Sequence, residues 1–93
     1  METEYINPKY AEPILALANG LSFEKIPFFI RPLWGGLQIM FPWCHGDAVC
    51  HKGSYGSNIG NVETMNFPWD GDDVTSLTVE EVYTKIVELY NQR

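Results

Sequence analysis

The sequence predicts a small α+β protein in which an antiparallel sheet of about four strands packs against a C-terminal helix. Residues 78–90 carry apolar side chains at helical spacing, behind an N-terminal capping signal. Residues 28–34 and 37–43 are two aromatic and branched runs joined by Gly35-Gly36. The chain has 93 residues, enough for one hydrophobic core. We therefore expect a single domain, residues 1–93, with a short N-terminal helix ahead of the sheet.

The C-terminal helix has the strongest local signal. Thr78 and Glu81 match a capping box, in which each side chain bonds the backbone N–H of the other residue. An apolar stripe follows at helical spacing: Val79, Val82, Tyr83, Ile86, Leu89 and Tyr90. We expect this stripe to pack on one face of the sheet, against Leu37, Ile39, Phe41 and Val49.

The central strands are predicted from alternation and from turn residues. Gly35-Gly36 predicts a tight hairpin, since both central turn positions need a positive φ. Pro32 in the first run indicates an edge strand or a bulge. In the second run, residues 37, 39 and 41 share one face and residues 38 and 40 the other. Residues 47–51 and 61–67 are the remaining strand candidates.

The N-terminal helix is predicted to be short. Asn7-Pro8 is typical of a helix start, because proline is well tolerated at the first helical position. Pro13 is expected to interrupt the helix soon afterwards. Residues 13–19 then give one or two turns, which Gly20 would stop.

The charge distribution bears on the class of partner. The net charge is −6, and residues 63–93 carry seven acids against two bases. Such a surface repels phosphate backbones, so we expect no direct nucleic-acid binding. It suits a basic protein partner, or it serves solubility alone. The longest uncharged run, residues 32–46, is too short to span a membrane, and the N-terminus has no apolar leader. These features predict a cytoplasmic protein.

Two Cys-His pairs, Cys44-His45 and Cys50-His51, raise the possibility of a zinc module or a cysteine enzyme. Adjacent residues on a strand point to opposite faces, so Cys50 and His51 are poorly placed to share one ion. We expect no catalytic residue, no cofactor and no metal, and we keep the zinc module as an alternative.

A glycine- and serine-rich segment over residues 52–60 suggests a second kind of site. Glycines let backbone N–H groups converge on an anion, side chains add further donors, and an aromatic ring can stack on a base. The candidate binding residues are Lys52, Ser54, Tyr55, Ser57 and Asn58. On this reading the protein sequesters a nucleotide signal. The alternative is a turn that needs glycine only for its positive φ.

The motif Phe-Pro-Trp occurs twice, at 41–43 and 67–69, and Gly-Asp follows each copy. We interpret it as one device used twice, in which proline ends a strand and tryptophan covers the end of the core. The alternative is that the tryptophans form an aromatic binding surface.

The motif VCHKGSYG at 49–56, followed by Gly60 and by Glu63-Thr64-Met65, resembles a pattern found in small proteins encoded by phages and prophages. The resemblance extends over residues 37–88 and implies an accessory protein of a mobile element. Small acidic phage proteins of this kind are often inhibitors of bacterial defence, anti-CRISPR proteins among them. It therefore implies a non-enzymatic inhibitor of a host defence protein, with homo-oligomer formation left open. We expect the binding surface to comprise Trp69, Asp70, Asp72, Asp73 and the 52–58 loop.

Overall fold

The computed structural model describes residues 5–93 and has an α+β fold with a five-stranded antiparallel sheet. The elements are α1 (Pro8–Phe23), β1 (Phe29–Leu33), β2 (Gly36–Met40), β3 (Asp47–Cys50), a 3₁₀ turn (Ser57–Ile59), β4 (Val62–Met65), β5 (Val74–Leu77) and α2 (Val79–Asn91). The strands lie in the sheet in chain order. Within the described residues, neither helix has the length and apolar character that crossing a membrane requires.

Helix α1 is longer than predicted. The Asn7 side chain accepts a hydrogen bond from the N–H of Lys9, and Pro8 lies at the first turn, as expected. Pro13 does not end the helix, and neither does Gly20. A Cβ on Gly20 would lie 2.8 Å from the ring of Tyr83. Glycine is therefore present because α2 approaches closely there, and the prediction that it stops the helix is wrong.

The hairpin between β1 and β2 turns one residue earlier than predicted. Leu33 pairs with Gly36, so the two turn residues are Trp34 and Gly35, with φ of 44° and 78°. Gly36 is instead a strand residue, where a Cβ would lie 1.8 Å from the carbonyl oxygen of Cys50. Only glycine fits beside that backbone, so Gly36 is used in the strand and not in the turn. Trp34 therefore takes the first turn position and adopts the left-handed conformation.

Both helices cover the same face of the sheet. Helix α1 lies over β2 and β3, α2 lies over β4, and the helices contact each other. The core includes Ile14, Leu17, Ile39, Val62 and Ile86. The prediction that α2 packs on Leu37, Ile39, Phe41 and Val49 is corrected. Helix α1 is the helix that lies over β2, which contains Leu37 and Ile39. Val49 pairs with Gln38 and Glu63 and so lies on the opposite face.

The N-terminal cap of α2 and the Phe-Pro-Trp motifs are arranged as predicted. Thr78 and Glu81 form a complete capping box. The rings of Phe41 and Phe67 meet at the end of the core, with centroids 5.9 Å apart. Trp43 packs on Phe41 and Trp69 stacks on Phe67, so both tryptophans cover buried phenylalanines.

Candidate functional site

The face of the sheet opposite the helices is the candidate functional surface. Strand register places two rows of side chains on it. The first row comprises Phe29, Met40, Asp47, Met65 and Val74, and the second comprises Arg31, Gln38, Val49, Glu63 and Ser76. We call this surface the open face. It mixes apolar and acidic side chains, and no described helix covers it.

A groove of about 390 Å³ runs along the open face, and we call it the sheet groove. Its lining comprises Leu33, Trp34, Gln38, Asp47, Val49, His51, Gly53, Glu63 and Met65. Val49 is buried although no helix covers it, because the neighbouring side chains enclose it. The groove therefore has an apolar floor and carboxylates along its walls.

The Asp47 wall belongs to a hydrogen-bonded chain across three strands. Arg31 Nε donates to Gln38 Oε1 at 2.6 Å, and Gln38 Nε2 donates to Asp47 Oδ2 at 3.0 Å. The glutamine thus fixes one oxygen of the carboxylate and leaves the other oxygen for a bound group. A carboxylate held in this way is oriented before a ligand arrives.

His51 and Trp34 close one end of the sheet groove. The backbone N–H of Gly53 donates to His51 Nδ1 at 3.0 Å, so the neutral ring carries its proton on Nε2. Burial lowers the pKa of His51, and the nearby Glu63 carboxylate opposes that shift. The ring of Trp34 meets the imidazole edge-on, with centroids 5.0 Å apart. Trp34 itself is 68% exposed.

The glycine–serine loop lies at the same end of the sheet. Ser54 is buried, and its Oγ accepts from the His51 N–H and donates to the His51 carbonyl. Ser57 is also buried, whereas Lys52, Asn58 and Tyr55 are exposed. Of the five predicted loop residues, these last three are therefore accessible to a partner.

The loop of residues 52–60 has few backbone N–H groups free to bind an anion. Gly56 and Gly60 adopt the left-handed conformation that the turn reading expects. Most backbone N–H groups of residues 52–60 donate within the described chain: those of Lys52, Gly53, Ser54, Tyr55, Ser57, Ile59 and Gly60. The Tyr55 N–H donates to Glu63 Oε1 at 3.3 Å, which places a carboxylate beneath the loop. These contacts leave few donors for an anion.

Asp70 is a structural residue of the loop after β4, and Trp69 lies half-buried beside it. Asp70 is 7% exposed and accepts hydrogen bonds from Thr64 Oγ1 at 2.8 Å and from the N–H of Phe67 at 3.1 Å. Trp69 Nε1 donates to Thr64 Oγ1, and Lys85 lies over the ring. The placement of Asp70 in a binding surface is corrected, because its carboxylate is buried and used within the fold.

The predicted binding residues divide between two ends of the sheet. Asp72 and Asp73 are exposed beside Met65, in the loop that follows β4. The loop with Tyr55 precedes β4, so the length of that strand, about 10 Å, separates the two groups. Met65 lines both the sheet groove and the depression at Asp72 and Asp73. The open face therefore connects the two groups.

The two Cys-His pairs do not converge. Cys50 is buried on the helix side, whereas His51 lines the sheet groove on the other side. His45 is exposed. Burial raises the pKa of both cysteine thiols, and a protonated thiol is a poor nucleophile and a poor metal ligand. Within residues 5–93, no three His, Cys, Asp or Glu side chains are grouped to hold a metal ion.

Apart from Gly53 in the 52–58 loop, sequence reasoning predicted none of the lining residues of the sheet groove as binding residues. The omissions that matter most are Trp34, Asp47, His51 and Glu63. Alternation could have found two of them, since Asp47 and His51 share one face of β3 and its extension with Val49. Trp34 could not be found in this way, because it is exposed at the turn only when Gly36 lies in the strand.

No protein-family model, no curated protein and no solved structure matches this chain.

Proposed function

We propose that this protein is a non-enzymatic binding protein that docks its open face on a basic segment of a partner protein. The observation that carries the proposal is the sheet groove, a helix-free concavity with an apolar floor, two oriented carboxylates and an exposed tryptophan. The partner is a bacterial host defence protein bound in the host cytoplasm, which is the form of the proposal that the phage-protein resemblance implies.

The charge of the open face selects a cationic partner. Asp47 and Glu63 lie in the groove, and Asp72 and Asp73 lie at its Met65 end. Arg31 is the cation within the same rows, and its Nε is already bonded to Gln38. An arginine or lysine from the partner gains charge-assisted hydrogen bonds to these carboxylates.

The sheet groove is large enough for side chains of a docked protein segment. A volume near 390 Å³ on an open sheet accepts one or two side chains of a docked segment. The apolar floor at Val49 and Leu33 suits the aliphatic stem of a lysine or arginine, since such stems bury while the charged group stays polar. The Trp34 ring supplies a face for a cation.

The nucleotide alternative has weaker support from the contacts. Most of the loop N–H groups that would form an anion nest already donate to acceptors within the described chain. Glu63 accepts from one of them and would repel a phosphate group. A protein partner is therefore the better supported of the two classes.

The test is co-purification from bacterial strains that each express one defined defence system, followed by titration of the captured protein. The groove variant Asp47→Asn/Glu63→Gln should weaken the measured affinity by about tenfold or more, because it removes two carboxylates that face the partner. Trp34→Gly should weaken it as well, while the fold is kept, since glycine accepts a positive φ at no steric cost.

The matched control is Glu80→Gln/Glu88→Gln, which removes the same charge from the exposed side of α2. It should leave the affinity within about twofold, apart from a general salt-dependent effect. Equal losses of affinity for the two double variants would show that the binding is non-specific electrostatic attraction. Recovery of no stoichiometric partner from any strain would contradict the proposal itself.

A further inference from the structure

The sheet ends on one side at β1, and the outer edge of that strand is exposed. Residues 29–32 are all exposed, with Phe29 60% and Ile30 40% accessible. An uncovered edge with apolar side chains is a template for another strand. We propose that two copies of this chain pair through their β1 strands, antiparallel about a two-fold axis at Phe29. This pairing does not depend on the proposed function.

The hairpin fixes which backbone groups face outward. Leu33 and Gly36 flank a two-residue turn and form the hydrogen-bonded pair that closes it. Hydrogen-bonded and non-bonded pairs alternate along antiparallel strands, so Arg31 and Phe29 also bond inward to β2. Ile30 and Pro32 therefore direct their backbone groups to the free edge. Pro32 has no N–H, so a complete ladder on that edge ends before it.

These constraints select one register. When Phe29 faces itself across the axis, Ile30 of each copy lies opposite Phe28 of the other. Both outward residue pairs then exchange both of their hydrogen bonds, and Pro32 falls outside the ladder. A register centred on Ile30 would set Phe28 opposite Pro32 and leave a carbonyl of Phe28 without a donor. The Phe29 register is therefore the favoured one.

The charge distribution argues for a second copy as the occupant. The chain has a net charge of −6, yet residues 25–46 contain no acid. The same stretch contains Lys25 and Arg31. Two acidic molecules can therefore approach at β1 without bringing carboxylates together, and in the Phe29 register Arg31 of each copy lies opposite Pro27 rather than opposite another cation. Phe29 and Ile30 would bury against their counterparts, and cross-strand aromatic pairs stabilise sheets. The two-fold axis of this pairing is normal to the sheet, so the open faces of the two copies form one continuous surface.

The first test is cysteine cross-linking under mild oxidation. In the Phe29→Cys variant the two thiols should form an intermolecular disulfide. Directly opposed residues of a non-hydrogen-bonded pair have Cα atoms about 4.5 Å apart, within disulfide range. The matched control is Arg31→Cys, on the same face of the same strand. It lies opposite Pro27 in this register, so it should form no intermolecular disulfide. The wild type, with Cys44 and Cys50, should form none either.

The second test is the solution mass of the untagged protein by light scattering. The wild type should approach twice the chain mass of 10.6 kDa as its concentration rises. Ile30→Pro should restore the single-chain mass, because it removes an outward N–H and leaves the bonds to β2 intact. Its circular-dichroism spectrum reports whether the fold is kept. Tyr55→Ser removes an equally exposed aromatic elsewhere and should leave the dimer unchanged.

A wild-type mass of one chain at every concentration, or no cross-link from Phe29→Cys, would overturn the pairing. Cross-linking of Arg31→Cys instead of Phe29→Cys would overturn the register. If Ile30→Pro fails to fold, the comparison of the two cysteine variants still decides both points. If the isolated chain stays monomeric, the β1 edge would instead pair with a strand from a different protein.

Discussion

Gly36 determines the geometry of the candidate site at the residue scale. Its missing side chain lets β3 approach so closely that a Cβ would meet the carbonyl of Cys50 at 1.8 Å. That contact sets the hairpin register, which puts Trp34 at the turn and aligns Gln38 with Val49 on the open face. One backbone contact therefore decides which aromatic residue reaches the sheet groove.

We predict that Gly36→Ala destabilises the protein by at least about 3 kcal/mol, because the neighbour that must move is backbone rather than a flexible side chain. Urea denaturation of the purified variants measures the loss. The matched control is Gly60→Ala, whose Cβ meets nothing within 4 Å. It should cost only about 1 kcal/mol, the penalty for a left-handed alanine. Similar losses for the two variants would contradict the close approach.

Asp70 shows why burial decides the role of a charged residue. In the sequence it is one of three acids in a loop, but only Asp72 and Asp73 reach the surface. The Asp70 carboxylate satisfies the N–H of Phe67 and the hydroxyl of Thr64. A buried carboxylate is stable only with such partners, so its neighbours in space determine its role.

Local sequence signals fully specify α2 at the scale of elements. Thr78 Oγ1 accepts from the N–H of Glu81 at 3.2 Å, and Glu81 Oε1 accepts from the N–H of Thr78 at 3.0 Å. Both partners lie within one turn, so no tertiary contact is needed to form the cap. The hydrogen bonds from the Thr78 backbone and side chain lower the pKa of Glu81.

We predict that Thr78→Ala lowers the Tm by about 5 °C at neutral pH, the usual effect of losing a helix cap in a small domain. The pKa of Glu81 is depressed in the folded state, so its contribution is present above the unfolded-state pKa and disappears as the pH falls through the folded-state pKa. The difference in Tm between wild type and variant should therefore narrow in acid. Thermal melts across that range measure it.

The control for this prediction is Thr84→Ala, an exposed threonine in the middle of the same helix. It should leave the Tm unchanged or slightly higher at every pH, since alanine is the better helix former. A Thr78→Ala difference that stays constant down to strongly acidic pH would show that the Thr78 hydroxyl does not stabilise the Glu81 carboxylate, since the backbone N–H that also bonds Glu81 is kept in the variant.

Two elements were beyond local signals. β5 has four residues, Val74–Leu77, too few for a reliable alternation, and it forms because β4 offers a pairing edge. Helix α1 continues through Pro13 and Gly20 because its buried side chains pack on the sheet and on α2. In both cases tertiary contacts outweigh local propensity.

The two layers of the molecule depend on the contact between α2 and the rest of the core. Ile86 is fully buried in the cluster that α1, the sheet and α2 share. A domain of this size has little core area to lose, since small proteins bury a smaller fraction of their surface. The side chain of Ile86 is therefore a sensitive test of the whole arrangement.

We predict that Ile86→Asp unfolds the domain. It replaces a buried aliphatic side chain by a carboxylate without a partner, at a cost of about 5 kcal/mol or more, comparable to the stability of a small domain. Loss of the cooperative circular-dichroism melt is the expected result. Thr84→Asp on the exposed side of α2 should melt cooperatively near the wild-type temperature. An unchanged melt for Ile86→Asp would contradict the placement of α2.

The sequence by itself determined the α+β class, the residue at which α2 begins, and the placement of Cys50 and His51 on opposite faces of the sheet. These features follow from capping and strand alternation, which act within a few residues. Only the tertiary structure decided the hairpin register, the burial of Asp70 and the assembly of the sheet groove. These features depend on how closely separate strands and helices approach, and distances between elements remote in the chain leave no local pattern in it.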